Sequence, residues 1–228
     1  MDKALGIPES RSALFTQVRT DSYVLLASLL GHPPSDVLRN LLVNLQWEDT
    51  VPDELGRSLT DLSAAGRVCA IESMQAEYQK LFVGLGSGEL IPYASWYLEK
   101  RIQSRPLAKL RSDLYRLGVV RQAGDHEPED HAAALCEVMA ILSDAAGGYP
   151  LDTQADFFER HLASWITGFF HDLRAAKSAV FYRSVGAFGS HFMECESRYL
   201  GRDIHAIPLS KRRNRYENGF FQQSTDVS

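Results

Sequence analysis

The sequence predicts an all-α protein, a single globular bundle of about ten helices, and three observations carry that expectation. Nearly every apolar stretch repeats at i, i+3, i+4 and i+7, the period of a helix face. Alternating strand patterns are scarce. A chain of 228 residues that is 45% hydrophobic can bury one large core.

The first helix is expected from about Glu9 to Leu30, with Leu14, Val18, Leu25 and Leu29 on one stripe, and the Gly-His-Pro-Pro run at 31–34 stops it. A second follows Ser35 as N-cap and should bury Val37, Leu38, Leu41, Leu42 and Leu45. A third begins near Pro52, and a fourth carries "IESMQAEYQKLF", where Met74, Tyr78, Leu81 and Phe82 share a face. Helix resumes at Pro106, with Leu107, Leu110, Leu114 and Leu117 in step and Gly118 as its stop. Pro128 is expected to open the next, burying Leu135, Val138, Met139 and Leu142. "QADFFERHLASWITGFFHDL" reads as one central helix, apolar over more than half its circumference, in which His161 is a hydrogen-bonded core histidine. The last long helix runs from about Ala179 to Leu200, with Phe181, Val185, Phe188 and Phe192 in its stripe and Gly201 at its end.

Three stretches interrupt the pattern. "VGLGSGELIPYASWY" is a loop followed by exposed-looking aromatics; it lacks the strand and the Lys-Ser/Thr ending that a phosphate-binding loop needs. "VVRQAGDHE", 119–127, is a candidate hinge between an N-terminal lobe (about 9–118) and a C-terminal lobe (about 128–201), and "AAGGYPLDT" is a third break. The basic and then aromatic tail from 202 to 228 reads as a polar extension or as a docking segment.

Residues 126–131, His-Glu-Pro-Glu-Asp-His, crowd charge before an apolar helix. The spacing is one residue longer than the zinc-protease H-E-x-x-H; i and i+5 lie about 140° apart on a helix and cannot face one ion. Helix capping, with Glu129 and Asp130 in the first turn, competes here with a binding site and with a metal-dependent hydrolase using His126, Glu127 and His131.

Composition narrows the classes. No apolar run is long enough for a membrane span and the N-terminus lacks the core of a secretory signal, so a cytoplasmic protein is expected. Cys69, Cys136 and Cys195 are scattered and odd in number, and are expected to be reduced and buried. A net charge of -5 argues against a nucleic-acid binder and suits a basic peptide partner.

With these residues placed, the chain resembles the TorD/DmsD family of cytoplasmic chaperones for molybdenum-cofactor oxidoreductases, related to the NarJ-type assembly proteins. The resemblance rests on Tyr78-Gln-Lys-Leu81-Phe82, then the glycine loop and "PYASWY" at 92–97, and on Glu127-Pro128-Glu129-Asp130-His131 opening an apolar helix. It implies a binding protein rather than an enzyme, one that holds the twin-arginine leader of an apoenzyme, delays export and assists cofactor insertion. On that reading Tyr93, Trp96 and Tyr97, with Tyr78 and Phe82, supply an apolar groove; Glu127, Glu129 and Asp130 supply charge, and His131 orients them. Tyr78 and Phe82 fit a core as well as a groove. No cofactor is required, though the resemblance allows a weak contact with GTP or molybdopterin guanine dinucleotide, and a guanine-nucleotide-responsive adaptor is an alternative. A monomer is expected, with lobe exchange into a domain-swapped dimer as the other arrangement.

Overall fold

The computed structural model describes residues 9–45, 53–84, 88–120 and 127–204, and among them the elements are helical. In chain order these are α1 (Glu9–Gly31), α2 (Asp36–Val43), α3 (Asp53–Val68) and α4 (Ile71–Tyr78), which runs into a π-helical turn, Gln79–Val83. They continue as α5 (Ala94–Glu99), α6 (Arg105–Leu117), α7 (Ala132–Ser143), α8 (Leu151–His161), α9 (Ile166–Ala175) and α10 (Phe181–Ile204). None of the described helices is long and apolar enough to cross a membrane.

The core is built around α1 and α10. α1 lies on α7 and α10, while α10 also packs against α9, α3 and α8. Tyr23 on α1 meets Phe192 of α10 edge-on at 4.7 Å, and Thr20 shares a 2.9 Å hydroxyl hydrogen bond with Ser143 of α7. Leu26, Leu29, Leu135, Met139, Phe169, Phe170, Phe181 and Phe188 are completely buried, each contributing about 1.5–3 kcal/mol by leaving water. α9 and α10 approach closely at two glycines: a Cβ on Gly189 would stand 2.3 Å from the Phe170 ring, and one on Gly186 2.7 Å from the Arg174 backbone nitrogen.

One polar network crosses this core. Arg19 and Glu196, 2% and 1% exposed, pair through Nε to Oε1 at 2.6 Å and a second guanidinium bond at 2.9 Å. Gln154 Oε1 accepts from Arg19 at 2.9 Å, Tyr23 donates to Glu196 at 3.0 Å, and the guanidinium lies 4.6 Å from the Tyr199 ring centre. Both carboxylate oxygens of Glu196, and Nε and Nη2 of Arg19, thus find partners, as burial demands.

Several expectations need correction. Val37 and Leu41 are 79% and 51% exposed; in the two-turn α2 only Leu42 faces fully inward, with Leu38 and Leu45 partly covered. The segment read as one central helix is broken at Leu162–Trp165 into α8 and α9, and the Trp165 indole N–H closes the break by donating to His161 O at 2.7 Å. α10 starts at Phe181 and runs through Gly201 to Ile204. Cys69 is only partly buried, while Cys136 and Cys195 are enclosed. Ser35 does cap α2, accepting from Leu38 N, and Gly118 ends α6 in the left-handed conformation at φ 68°. Most of the 119–127 hinge (121–126), the centre of the glycine loop (85–87) and the tail from 205 lie outside the described residues.

Candidate functional site

The site begins where α4 ends. Five residues with π-type bonding, closed by Gly84 N donating to Gln79 O at 2.7 Å, carry Leu81 inward and leave Phe82 half-buried. The chain then folds back along this turn: Glu89 N bonds Lys80 O at 3.0 Å and Leu90 N bonds Leu81 O at 2.8 Å. Gly88 is obligatory at this crossing, since a Cβ there would stand 2.4 Å from Leu81 O.

That return delivers Pro92 and Tyr93 to the turn before α7. Ala94 N donates to Asp130 O at 2.9 Å and Ala132 N to Pro92 O at 2.8 Å, forming an antiparallel bridge of Tyr93 with His131. Their rings meet edge-on at 5.0 Å, and the Tyr93 hydroxyl donates to the Glu127 carboxylate. Burial first, then that bond and the charge of Glu127, push the Tyr93 phenol above its usual range. Pro128 O accepts from His131 N at 3.1 Å and so shapes the turn.

The acidic residues do not cap in the expected way. α7 begins at Ala132, and its N-cap is His131, whose Nδ1 accepts from Ala133 N at 3.1 Å. Asp130, 1% exposed, caps another helix: its Oδ2 accepts from Ser95 N at 2.9 Å in the first turn of α5. Glu129 forms a two-pronged ion pair with Arg111 on α6 at 2.9 and 3.1 Å, so Glu127 is the exposed acid of the three.

The aromatics divide between two neighbourhoods. Tyr97 docks α5 onto α9: its hydroxyl donates to Asp172 at 2.8 Å and its ring lies 5.3 Å from Trp165. Burial, then Asp172, raise its phenol. Trp96 is half-buried with the Lys100 ammonium 5.9 Å from its ring centre. Tyr78 is 7% exposed, donates to Leu30 O at 3.3 Å and forms a cluster with Phe82 at 5.1 Å and Tyr182 at 6.2 Å. Burial, and then the Glu127 charge, push its phenol up to about 12.

Tyr93, Glu127, Pro128, Asp130 and His131 therefore form one junction, Tyr78 and Phe82 back it from the π-helical turn, and Trp96 and Tyr97 extend it along α5. Glu77 was not foreseen. From beside Tyr78 it sends a buried carboxylate to three backbone N–H groups opening α10, those of Val180, Phe181 and Tyr182, at 2.9–3.1 Å. Glu89 bonds Lys177 N and Ser178 N in the preceding turn. Only the acid's place in the helical period was visible beforehand, since the N–H groups that donate to it lie some hundred residues away.

The junction suits binding better than proton transfer. His131 Nδ1 is engaged by a backbone donor, Glu127 is taken by a phenol, and among the described residues no group of three His, Cys, Asp or Glu side chains is placed to hold a metal ion. His126 of the hydrolase reading is outside the described residues.

The comparison with known families decides the class. Residues 48–171, more than half the chain and spanning both motifs, match the family described as nitrate reductase delta subunit. The chain belongs to that family. Its relatives in the nitrate reductase delta family include the chaperone protein TorD of Aliivibrio salmonicida, 24% identical over 82% of this chain and 96% of that protein. TorD of Aliivibrio fischeri is 25% identical with the same coverage. A protein named "Probable Tat proofreading chaperone DmsD" from Haemophilus influenzae is 24% identical over 61% of this chain and 66% of its own length. A crystal structure of a provisionally described redox enzyme maturation protein from Archaeoglobus fulgidus shares the fold, with TM-score 0.54 over 76% of this chain and 93% of that one at 18% identity. The TorD and DmsD relatives are named as chaperones, and the family is not catalytic.

Proposed function

We propose that this protein is a cytoplasmic maturation chaperone that holds the twin-arginine leader of a molybdenum-cofactor oxidoreductase, delaying its export while the cofactor is inserted. The observation that carries this reading is the junction of the two motifs, in which Tyr93 and His131 are bridged through the backbone and an exposed Glu127 stands at the edge. A leader brings a cationic start followed by an apolar stretch. Glu127 offers the cation an acceptor, Trp96 and Tyr93 offer flat half-buried surface to the stretch, and Phe82 continues that surface toward Tyr182. Asp130 and His131 act chiefly by fixing α5 and α7, so that both walls of the groove are held at one place.

The test is a calorimetric titration of the full chain with a synthetic twin-arginine leader peptide. Glu127→Gln with Tyr93→Phe alters an exposed acid and its half-buried phenol partner, leaves both caps intact, and is expected to weaken the leader by about five- to thirtyfold, the size of one lost charged contact. Equal affinity in wild type and variant, or no heat with any leader, would remove the reading.

A further inference from the structure

The surface around the α5–α6 turn is opposite in character to the rest of the chain. Residues 100–116 contain six Lys or Arg and one Asp, in a protein of net charge -5, and all six basic residues are exposed. Arg111 and Arg116 are paired, with Glu129 and Asp113. Arg101, Arg105 and Lys109 have no carboxylate within ion-pair distance among the described residues. Unpaired cations alone would be an ordinary solvated face.

Further features set this face apart. Leu98 at the end of α5 and Ile102 in the turn that follows, each 43% exposed, lie in the same α5–α6 corner as the cations. Beside them opens a recess of about 90 Å³ walled by Leu98, Pro106, Leu110, Lys109, Arg160 and Asp130. Asp130 is 1% exposed, and while its Oδ2 caps α5, its Oδ1 has no hydrogen-bond partner among the described protein atoms. The turn itself holds two non-glycine residues in the left-handed region, Lys100 at φ 54°, which ends α5, and Gln103 at φ 57°.

We propose that this surface docks an acidic peptide segment bearing an apolar side chain. Its carboxylates meet Arg101, Arg105 and Lys109, its apolar group enters the recess beside Leu98 and Pro106, and one of its N–H groups donates to Asp130 Oδ1. A phospholipid surface fits less well: it cannot follow a recess, and its phosphates bring no donor to a buried carboxylate. A cationic leader fits less well still, because it would have to approach Arg101, Arg105 and Lys109. The surface is therefore a second contact that meets the Tyr93–Glu127 junction only at Asp130, whose Oδ2 holds α5 while its Oδ1 is left over, and it does not depend on the leader reading.

The probe is a short fluorescent peptide of aspartate and glutamate with two leucines, titrated into the full chain and followed by anisotropy. Saturable binding is expected, weakening by about tenfold or more as salt rises from about 50 to 300 mM. The double variant Arg105→Glu/Lys109→Glu should lose about tenfold or more, and Ile102→Ser or a peptide with serines for leucines should lose a smaller factor. Unchanged leader affinity and circular dichroism in the double variant would assign the loss to this surface. The proposal is overturned if the peptide fails to bind at millimolar concentration, or binds the double variant as well as wild type. Sedimentation with phosphatidylglycerol vesicles that the double variant abolishes, with no peptide binding, would overturn it in favour of a lipid surface.

Discussion

Replacing either member of the Arg19–Glu196 pair by methionine should be far more damaging than replacing both. Glu196→Met leaves a guanidinium at 2% exposure with Gln154 Oε1 at 2.9 Å as its remaining hydrogen-bond acceptor, and Arg19→Met leaves a carboxylate at 1% exposure served only by the Tyr23 hydroxyl at 3.0 Å. Stranding a buried charge in this way costs about 3–5 kcal/mol. In the double variant no ion is stranded; what is left is one hydroxyl and one carboxamide oxygen short of a partner, at about 1–3 kcal/mol for each group that stays unsatisfied. Two apolar side chains of similar length offset part of that. The double variant should therefore be less destabilised than either single, with a coupling of several kcal/mol in the cycle. Equilibrium urea unfolding, followed by far-ultraviolet circular dichroism at neutral pH, measures all four proteins. Additive losses, or a single variant costing under about 1 kcal/mol, would refute the claim that the two charges compensate one another inside the core.

Acid should loosen the contact between α6 and α8. Burial tends to raise the Asp113 carboxyl, but the 2.9 Å bond to His161 with the charges of His161, Arg160 and Arg116 outweighs it and holds the group below its ordinary value. A depressed carboxyl stabilises the fold above its unfolded pKa of about 3.9 and loses that contribution as pH falls through the lower folded value. The stability deficit of Asp113→Asn should thus be full at neutral pH and shrink below about pH 4, which urea midpoints at a series of pH values would show. Glu77→Gln keeps the shape of the side chain but gives up the charge and one acceptor at the start of α10. A loss of about 2–4 kcal/mol is expected, with faster hydrogen exchange at Phe181 and Tyr182; unchanged exchange there would mean that the carboxylate is not the cap of α10.

The all-α architecture was legible because helical periodicity is local, and the ends marked by Ser35 and Gly118 were legible because a cap is chemistry within four residues. The failures are non-local. Nothing near Arg19 announces that its counter-charge lies 177 residues away, so the α1 stripe was read from its apolar members alone. Val37 and Leu41 were assigned to the core because a helix of two turns offers too few positions to separate one face from the next. The break at Leu162–Trp165 contains neither Gly nor Pro; an indole bonding back to His161 O is a tertiary arrangement without a sequence mark. At the junction, the family resemblance grouped Tyr93, Glu127, Asp130 and His131, and the structure sets them side by side. That Asp130 would cap α5 rather than α7 depends on a pairing of strand-like segments that no periodicity encodes.

The order in which the core is completed matters for the protein's own synthesis. α1 leaves the ribosome first, yet the helices that cover it are α7 and α10, and the carboxylate that neutralises Arg19 belongs to residue 196. During most of translation, at about 5–20 residues per second, the apolar face of α1 has no final partner and Arg19 no counter-ion. The apolar face of α1 must wait for α7, beyond the middle of the chain, and Arg19 must wait for α10. A member of a chaperone family thus passes through a long unfinished state itself, and slowing its translation before residue 196 should raise its own need for a holding partner.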